Sequence, residues 1–88
     1  MLEYHAAYFM IEDGWYMAKV LDFPGVVTQG RTLNSARGMI RDALRGMVEW
    51  YMENGKPFPR PNSRARDRKA EHLETIRVRV QLQIGAKR

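Results

Sequence analysis

The sequence holds no cysteine, which excludes disulfides, thiolate metal sites and a cysteine nucleophile together. It also lacks any apolar run near the roughly 18–20 residues that a membrane-spanning helix needs. The opening stretch MLEYHAAYFMIED has no basic region ahead of an apolar core, so no signal peptide is expected, and a cytoplasmic protein is. Histidine is scarce: His5 and His72 stand far apart in unrelated contexts, whereas a metal site wants three or four convergent ligands. No metal and no cofactor are expected. A glycine-rich phosphate loop and a serine-centred elbow are missing as well. The carboxylates Glu12, Asp22 and Glu74 remain candidates for a metal-assisted phosphodiesterase, which needs acids gathered on a sheet. Strand alternation gives no reason for them to meet at one point. They read better as solvated edge residues, and no enzyme is expected.

What is present suits one small domain. The 88 residues are 44% apolar and 28% charged, as in ordinary globular proteins. The formal net charge of +5 is unevenly spread. Residues 1–55 hold five Lys or Arg against seven Asp or Glu, a net of −2, and residues 56–88 hold ten against three, a net of +7. An anionic partner is therefore to be sought in the C-terminal third.

Tyr4 to Glu12 and Trp15 to Leu21 are two β-prone runs joined by Asp13-Gly14, a pair suited to a type I′ turn with positive φ at both positions. An antiparallel hairpin is expected. Phe23-Pro24-Gly25 must end the second strand, because proline lacks the ladder N–H. Val26 to Gln29 then reads as a short third strand closed by Gly30. Thr32 is placed to cap a helix running from about Leu33 to Glu53, stopped by Asn54-Gly55 with Pro57 beyond. Ala36, Ile40, Ala43, Leu44, Met47 and Tyr51 recur at spacings of three and four and define its buried face. Arg37, Arg41 and Arg45 step along the flank, with an Arg45–Glu49 pair expected there. Gly38 and Gly46 inside the helix suggest close approach by another chain or segment, or simple tolerance.

Residues 56–72, KPFPRPNSRARDRKAEH, carry three Pro and six Lys or Arg, and read as an extended basic linker with a short helical turn at Ser63 to His72. The run ETIRVRVQLQI then alternates, so residues 73–85 should form a final half-buried strand. That strand pairs with the hairpin sheet or with a copy of itself. The partition is thus a 1–55 core, a 56–72 linker and a 73–85 strand completing the sheet. The expected fold is α+β, a small β-β-β-α-β domain with an antiparallel sheet.

Tyr8, Phe9, Trp15 and Tyr16 fall in adjacent pairs, so both faces of the hairpin carry aromatic area. One face covers the helix, and the other calls for a partner. A homo-oligomer, dimer or tetramer, is expected on that ground. Trp15 and Tyr16, together with the polar Thr28 and Gln29, are the candidate partner-binding residues. Arg60, Arg64, Arg66, Arg68 and Lys69 are the candidates for nucleic-acid binding, with a solvated linker as the competing reading.

The strings EDGWY, DFPGVVTQGRTLNSA and ENGKPFPRP, taken together, resemble the HicB family. The matching positions are Asp13, Gly14, Trp15, Phe23, Pro24, Gly25, Thr28, Gln29, Gly30, Thr32, Leu33 and Ala36, within residues 4 to about 61. The resemblance implies a core like a truncated ribonuclease H fold without its catalytic carboxylates. It implies an antitoxin or regulatory module that occludes a HicA-type mRNA interferase, a small basic toxin. Many such proteins add a C-terminal DNA-binding domain, and a short form without one is expected here. Asn34-Ser35 departs from the acidic pair usual at the helix start. The alternatives are a nucleic-acid-binding protein using the basic third, or an oligomeric domain with no toxin.

Overall fold

The computed structural model describes residues 1–80. Four strands and one long helix follow in the order β1 (Leu2–Met10), β2 (Tyr16–Val20), β3 (Val27–Gly30), α1 (Leu33–Glu53) and β4 (His72–Val78). The strands make one sheet in the order β3-β2-β1-β4, antiparallel at every pairing. This is the expected α+β, β-β-β-α-β arrangement. Among the described residues the final strand runs His72–Val78, and residues 81–85 of the expected 73–85 strand lie outside the described residues.

The hairpin forms where Asp-Gly directs it. Asp13 (φ 61°) and Gly14 (φ 79°) both take positive φ, as the turn requires. The Trp15 N–H donates to the Glu12 carbonyl at 3.2 Å, and the Ile11 N–H donates to the Trp15 carbonyl at 2.8 Å. The loop is one residue longer on the β1 side than a two-residue turn, which is why β1 stops at Met10.

The chain leaves β2 through Asp22–Gly25, with Gly25 at φ 90°. This turn sends Phe23 inward rather than out to solvent. Its ring is fully buried, with its centroid 5.0 Å from Tyr4 and 5.0 Å from Tyr51 in edge-to-face contact. A buried ring of this size contributes about 1.5–3 kcal/mol. Val26 is buried but lies just ahead of β3, so the third strand starts one residue later than expected.

Helix α1 has the expected bounds for local reasons. The Thr32 hydroxyl accepts the Ser35 N–H at 3.0 Å, an N-cap bond. At the other end Gly55 takes φ 62°, its N–H donates to the Met52 carbonyl at 3.2 Å, and the Lys56 N–H donates to the Tyr51 carbonyl at 2.9 Å. Those two bonds are a Schellman stop. Ala36, Ile40, Leu44 and Val48 are the buried stripe; Ala43, Met47 and Tyr51 are partly buried beside it. Val48 thus belongs to the core face although the spacing argument passed it over. Arg45 turns back to Asp42 at 3.3 Å and not forward to Glu49.

Residues 56–71 have neither helix nor strand, and the expected turn at Ser63 to His72 becomes two separate turns. The Ala65 N–H donates to the Asn62 carbonyl at 2.9 Å, and the Ala70 N–H to the Asp67 carbonyl at 3.1 Å. The segment is nonetheless tied to the domain. Phe58 stacks on Tyr51 at 6.2 Å, the Tyr4 hydroxyl donates to the Pro59 carbonyl at 2.7 Å, and the Glu71 N–H donates to the Tyr8 carbonyl at 2.8 Å.

Candidate protein-binding surface

Alternation sorts the sheet into two faces. Tyr4, Ala6 and Tyr8 of β1 point to α1 with Ala18 and Val20 of β2 and Ile76 of β4. The opposite face carries two cross-strand rows. One runs Val27, Lys19, Ala7, Leu73, and the next runs Gln29, Met17, Phe9. Val27 and Leu73 are 52% and 42% exposed, and Phe9 and Met17 are half-buried. Each strand therefore places an apolar side chain on the open face (Val27, Met17, Phe9 and Leu73), with the exposed Lys19 among them, a mixed layout met at protein–protein contacts.

Of the four expected partner-binding residues, the structure gathers two on this face. Gln29 is exposed opposite Met17. Trp15 sits at the hairpin end, half-buried, with the Arg31 guanidinium 5.3 Å above its ring. Glu12 and Asp13 are exposed at the adjoining hairpin tip. Tyr16 and Thr28 have the opposite parity, pairing Gly30 and Ala18 on the helix side, and are half-buried. They support the edge of the core and do not extend the open face. Phe9 was singled out from sequence only as one of the paired hairpin aromatics, and Arg31 and Met17 were not, because their role depends on register across three strands.

The five basic candidates lie elsewhere. Arg60, Arg64, Arg66, Arg68 and Lys69 are all exposed on the segment leading into β4, the sheet edge opposite β3. Two side-chain-closed turns shape that segment: Asn62 Oδ1 accepts the Arg64 N–H and Asp67 Oδ1 accepts the Lys69 N–H, both at 2.9 Å. Among the described residues none of the five has an ion-pair partner.

The three carboxylates do not converge. Glu12 is in the hairpin loop, whereas Asp22 is buried beside His5, toward the other end of β1. Asp22 accepts the His5 N–H at 2.8 Å and the Asn62 N–H at 2.9 Å, and its Oδ2 lies 2.7 Å from His5 Nδ1. Burial works to raise its pKa, but the bonds from Asn62 and His5 outweigh it and hold the carboxyl below the ordinary aspartate value. Glu74 points to the helix side, where Arg37 reaches it at 2.7 Å. Burial again works upward, and Arg37, with help from Tyr8 and Arg41, brings the net shift of Glu74 down. Tyr8 is pushed up to about 12, first by burial and then by Glu74. Asp22 and Glu74 are structural ties, each with its own partner, whereas Glu12 is exposed at the hairpin tip.

A family model described as UPF0150-like matches residues 4–59. A UPF0150 protein of Thermoplasma acidophilum is 36% identical over 52 residues, covering 59% of this chain and 75% of that protein. Antitoxin HicB 1 of Photorhabdus laumondii is 35% identical over 57 residues, which is 65% of this chain and 37% of the antitoxin. Antitoxin HicB of Escherichia coli K12 is 34% identical over 50 residues, 57% of this chain and 36% of the antitoxin. The chain thus spans little more than a third of the length of these two antitoxins. The crystal structure of the N-terminal domain of Burkholderia pseudomallei antitoxin HicB superposes with a TM-score of 0.76, covering 90% of this chain and 100% of that one at 24% identity. The fold is shared.

Proposed function

This chain belongs to the UPF0150-like family, and we propose that it is an antitoxin-type binding module that covers the RNA-cleaving site of a HicA-type toxin. It acts by steric occlusion and not as an enzyme. The observation that carries this reading is the set of apolar side chains on the open sheet face, Phe9, Met17, Val27 and Leu73, next to Trp15 and the acidic tip Glu12-Asp13. An apolar surface flanked by acids suits a small basic protein, because the acids steer the encounter while the apolar area is what is buried on contact. Trp15 and Gln29 are proposed as contact residues. Tyr16 and Thr28 are proposed to brace the strands beneath them.

The test is co-expression with a small basic protein encoded beside this gene, followed by an RNA-cleavage assay on the purified pair. Inhibition at equimolar ratio is the expected result, with Met17→Glu and Trp15→Ala each weakening it by on the order of tenfold or more. Absence of a complex, or inhibition indifferent to both substitutions, would overturn the reading.

A second reading is favoured by the five exposed cations between Arg60 and Lys69, none with an ion-pair partner among the described residues. Direct nucleic-acid binding there predicts affinity that falls linearly in log–log form with salt, with a slope that shrinks as those cations are replaced. RNA retained by the protein alone at low salt, with no toxin inhibition, would move the function to that segment.

A further inference from the structure

Helix α1 packs over β3 and β2, touches β1 lightly, and lies off-centre from β4, which it reaches through the Arg37–Glu74 pair. Among the described residues β4 is also an edge strand, bonded to β1 along one side only. The result is an open groove of about 840 Å³ between α1 and β4. Its floor is apolar: Leu44 and Val48 from the helix, Ile76 and Val78 from the strand. Arg41 and Arg45 line the helix side, Arg77 and Arg79 the strand side, and Glu49 is the one acid among the lining residues.

These arginines are weakly committed. Arg45 bonds Asp42 at 3.3 Å with both side chains more than two-thirds exposed, and Arg77 bonds Glu3 at 3.0 Å in a similarly exposed pair. Exposed pairs of this kind hold little energy and exchange readily. Arg41 and Arg79 have no ion-pair partner among the described residues.

We propose that this groove accepts an extended acidic segment of another protein, added as a strand along the free edge of β4. Such a segment has side chains alternating between two faces. On the helix side its apolar residues descend between Ile76 and Val78 below and Leu44 and Val48 opposite. On the other side its acids lie beside Arg77, which alternation places on the outer face with Thr75, and near Arg79 just past the end of β4. Arg41 and Arg45 meet any acid that rides over the helix rim.

Two other occupants fit less well. A second copy pairing its β4 here would bring Arg77 and a Glu74 already held by Arg37, and so would add positive charge to a rim that carries four arginines. A nucleic acid would find cations but no aromatic ring among the lining residues on which to stack a base. A basic toxin has the wrong charge for this groove. The open sheet face and the groove are therefore separate surfaces, and this inference does not rest on the antitoxin reading.

The experiment uses the full chain and a fluorescein-labelled ten-residue peptide of alternating Glu and Val, read by anisotropy at low and high salt. The comparison probes are the Lys-Val peptide, the Glu-Val peptide N-methylated at alternate residues, and a short single-stranded RNA. Saturable binding of the Glu-Val peptide is expected, lost on N-methylation and absent for the Lys-Val peptide. The double variant Arg41→Glu/Arg79→Glu should weaken it by on the order of tenfold or more with an unchanged melting temperature, since both side chains are exposed. Binding that survives that charge reversal, equal binding of the Lys-Val peptide, or preference for the RNA would overturn the proposal. If the double variant melts early, Arg79→Ala alone, on a residue beyond the end of β4, supplies the charge test.

Discussion

Gly30 is where the sheet and the helix come closest. A methyl group on its Cα would lie 2.6 Å from the Ala36 nitrogen and 3.0 Å from the Ala36 Cα, both main-chain atoms of the helix's first turn. Backbone cannot step aside as a side chain can, so the strand must lift off the helix or the cap must open. Gly30→Ala should destabilise the fold by about 2–3 kcal/mol, measured as a shift in urea midpoint with little change in slope. Thr32→Ala removes only the cap bond and should cost about 1 kcal/mol, which separates steric conflict from loss of capping. The need for glycine here was readable in part: Gly30 ahead of a Thr cap marks a tight entry into a helix. The closeness of the approach was not readable, because it depends on where Ala36 sits in the packed structure. Asp22 was misread for the same reason. As a lone acid after a strand it looks solvated, yet its bonding partners are 17 and 40 residues away.

Elements governed by local rules were legible in the sequence. The Asp-Gly hairpin and both ends of α1 follow from turn and capping chemistry within a few residues. The open face and the groove were not, since they depend on the sheet order β3-β2-β1-β4 and on the helix lying off-centre over it. The two glycines inside α1 illustrate the limit. Their spacing suggested close approach by another chain or segment, but a methyl group at Gly38 or Gly46 would meet no atom outside the local helix within 4 Å. Within the described residues they are tolerated, and each weakens the helix relative to alanine. Gly38→Ala and Gly46→Ala should each stabilise the isolated protein by about 0.5–1 kcal/mol, seen as a higher thermal midpoint. If either glycine is kept for a partner, the same substitution will raise the melting temperature and weaken binding of that partner. A lower melting temperature in the isolated protein would show that the helix does not tolerate a side chain there.

At the scale of the whole molecule, Asp22 and its neighbours decide whether the basic segment moves with the domain. Asp22 joins β1 through His5 and the 56–71 segment through Asn62, and Tyr4 adds its bond to Pro59. Composition alone gives that segment little reason to dock; the ties come from residues of the core, which hold the Pro59 carbonyl and the Asn62 and Glu71 N–H groups in place. Asp22→Asn keeps the shape but removes the charge that three donors share. It should cost on the order of 2–3 kcal/mol near neutral pH. The folded-state pKa of Asp22 lies below the ordinary value of 3.8, so its stabilisation is complete above that value and is lost as pH falls through the folded-state pKa. Urea unfolding between pH 6 and pH 2.5 should therefore show the wild type and Asp22→Asn far apart at the upper end and converging at the lower. A gap that stays constant with pH would mean that the charge of Asp22 contributes nothing to the tie. Trypsin gives the local readout of the same link. Cleavage after Arg64, Arg66, Arg68 and Lys69 should accelerate in Asp22→Asn under conditions where the domain remains folded, because Asn62 then loses the strong acceptor that holds it. Equal cleavage rates in the two proteins would place the anchoring of the segment at Phe58, Pro59 and Glu71 instead, and would leave Asp22 a tie between β1 and the turn that follows β2.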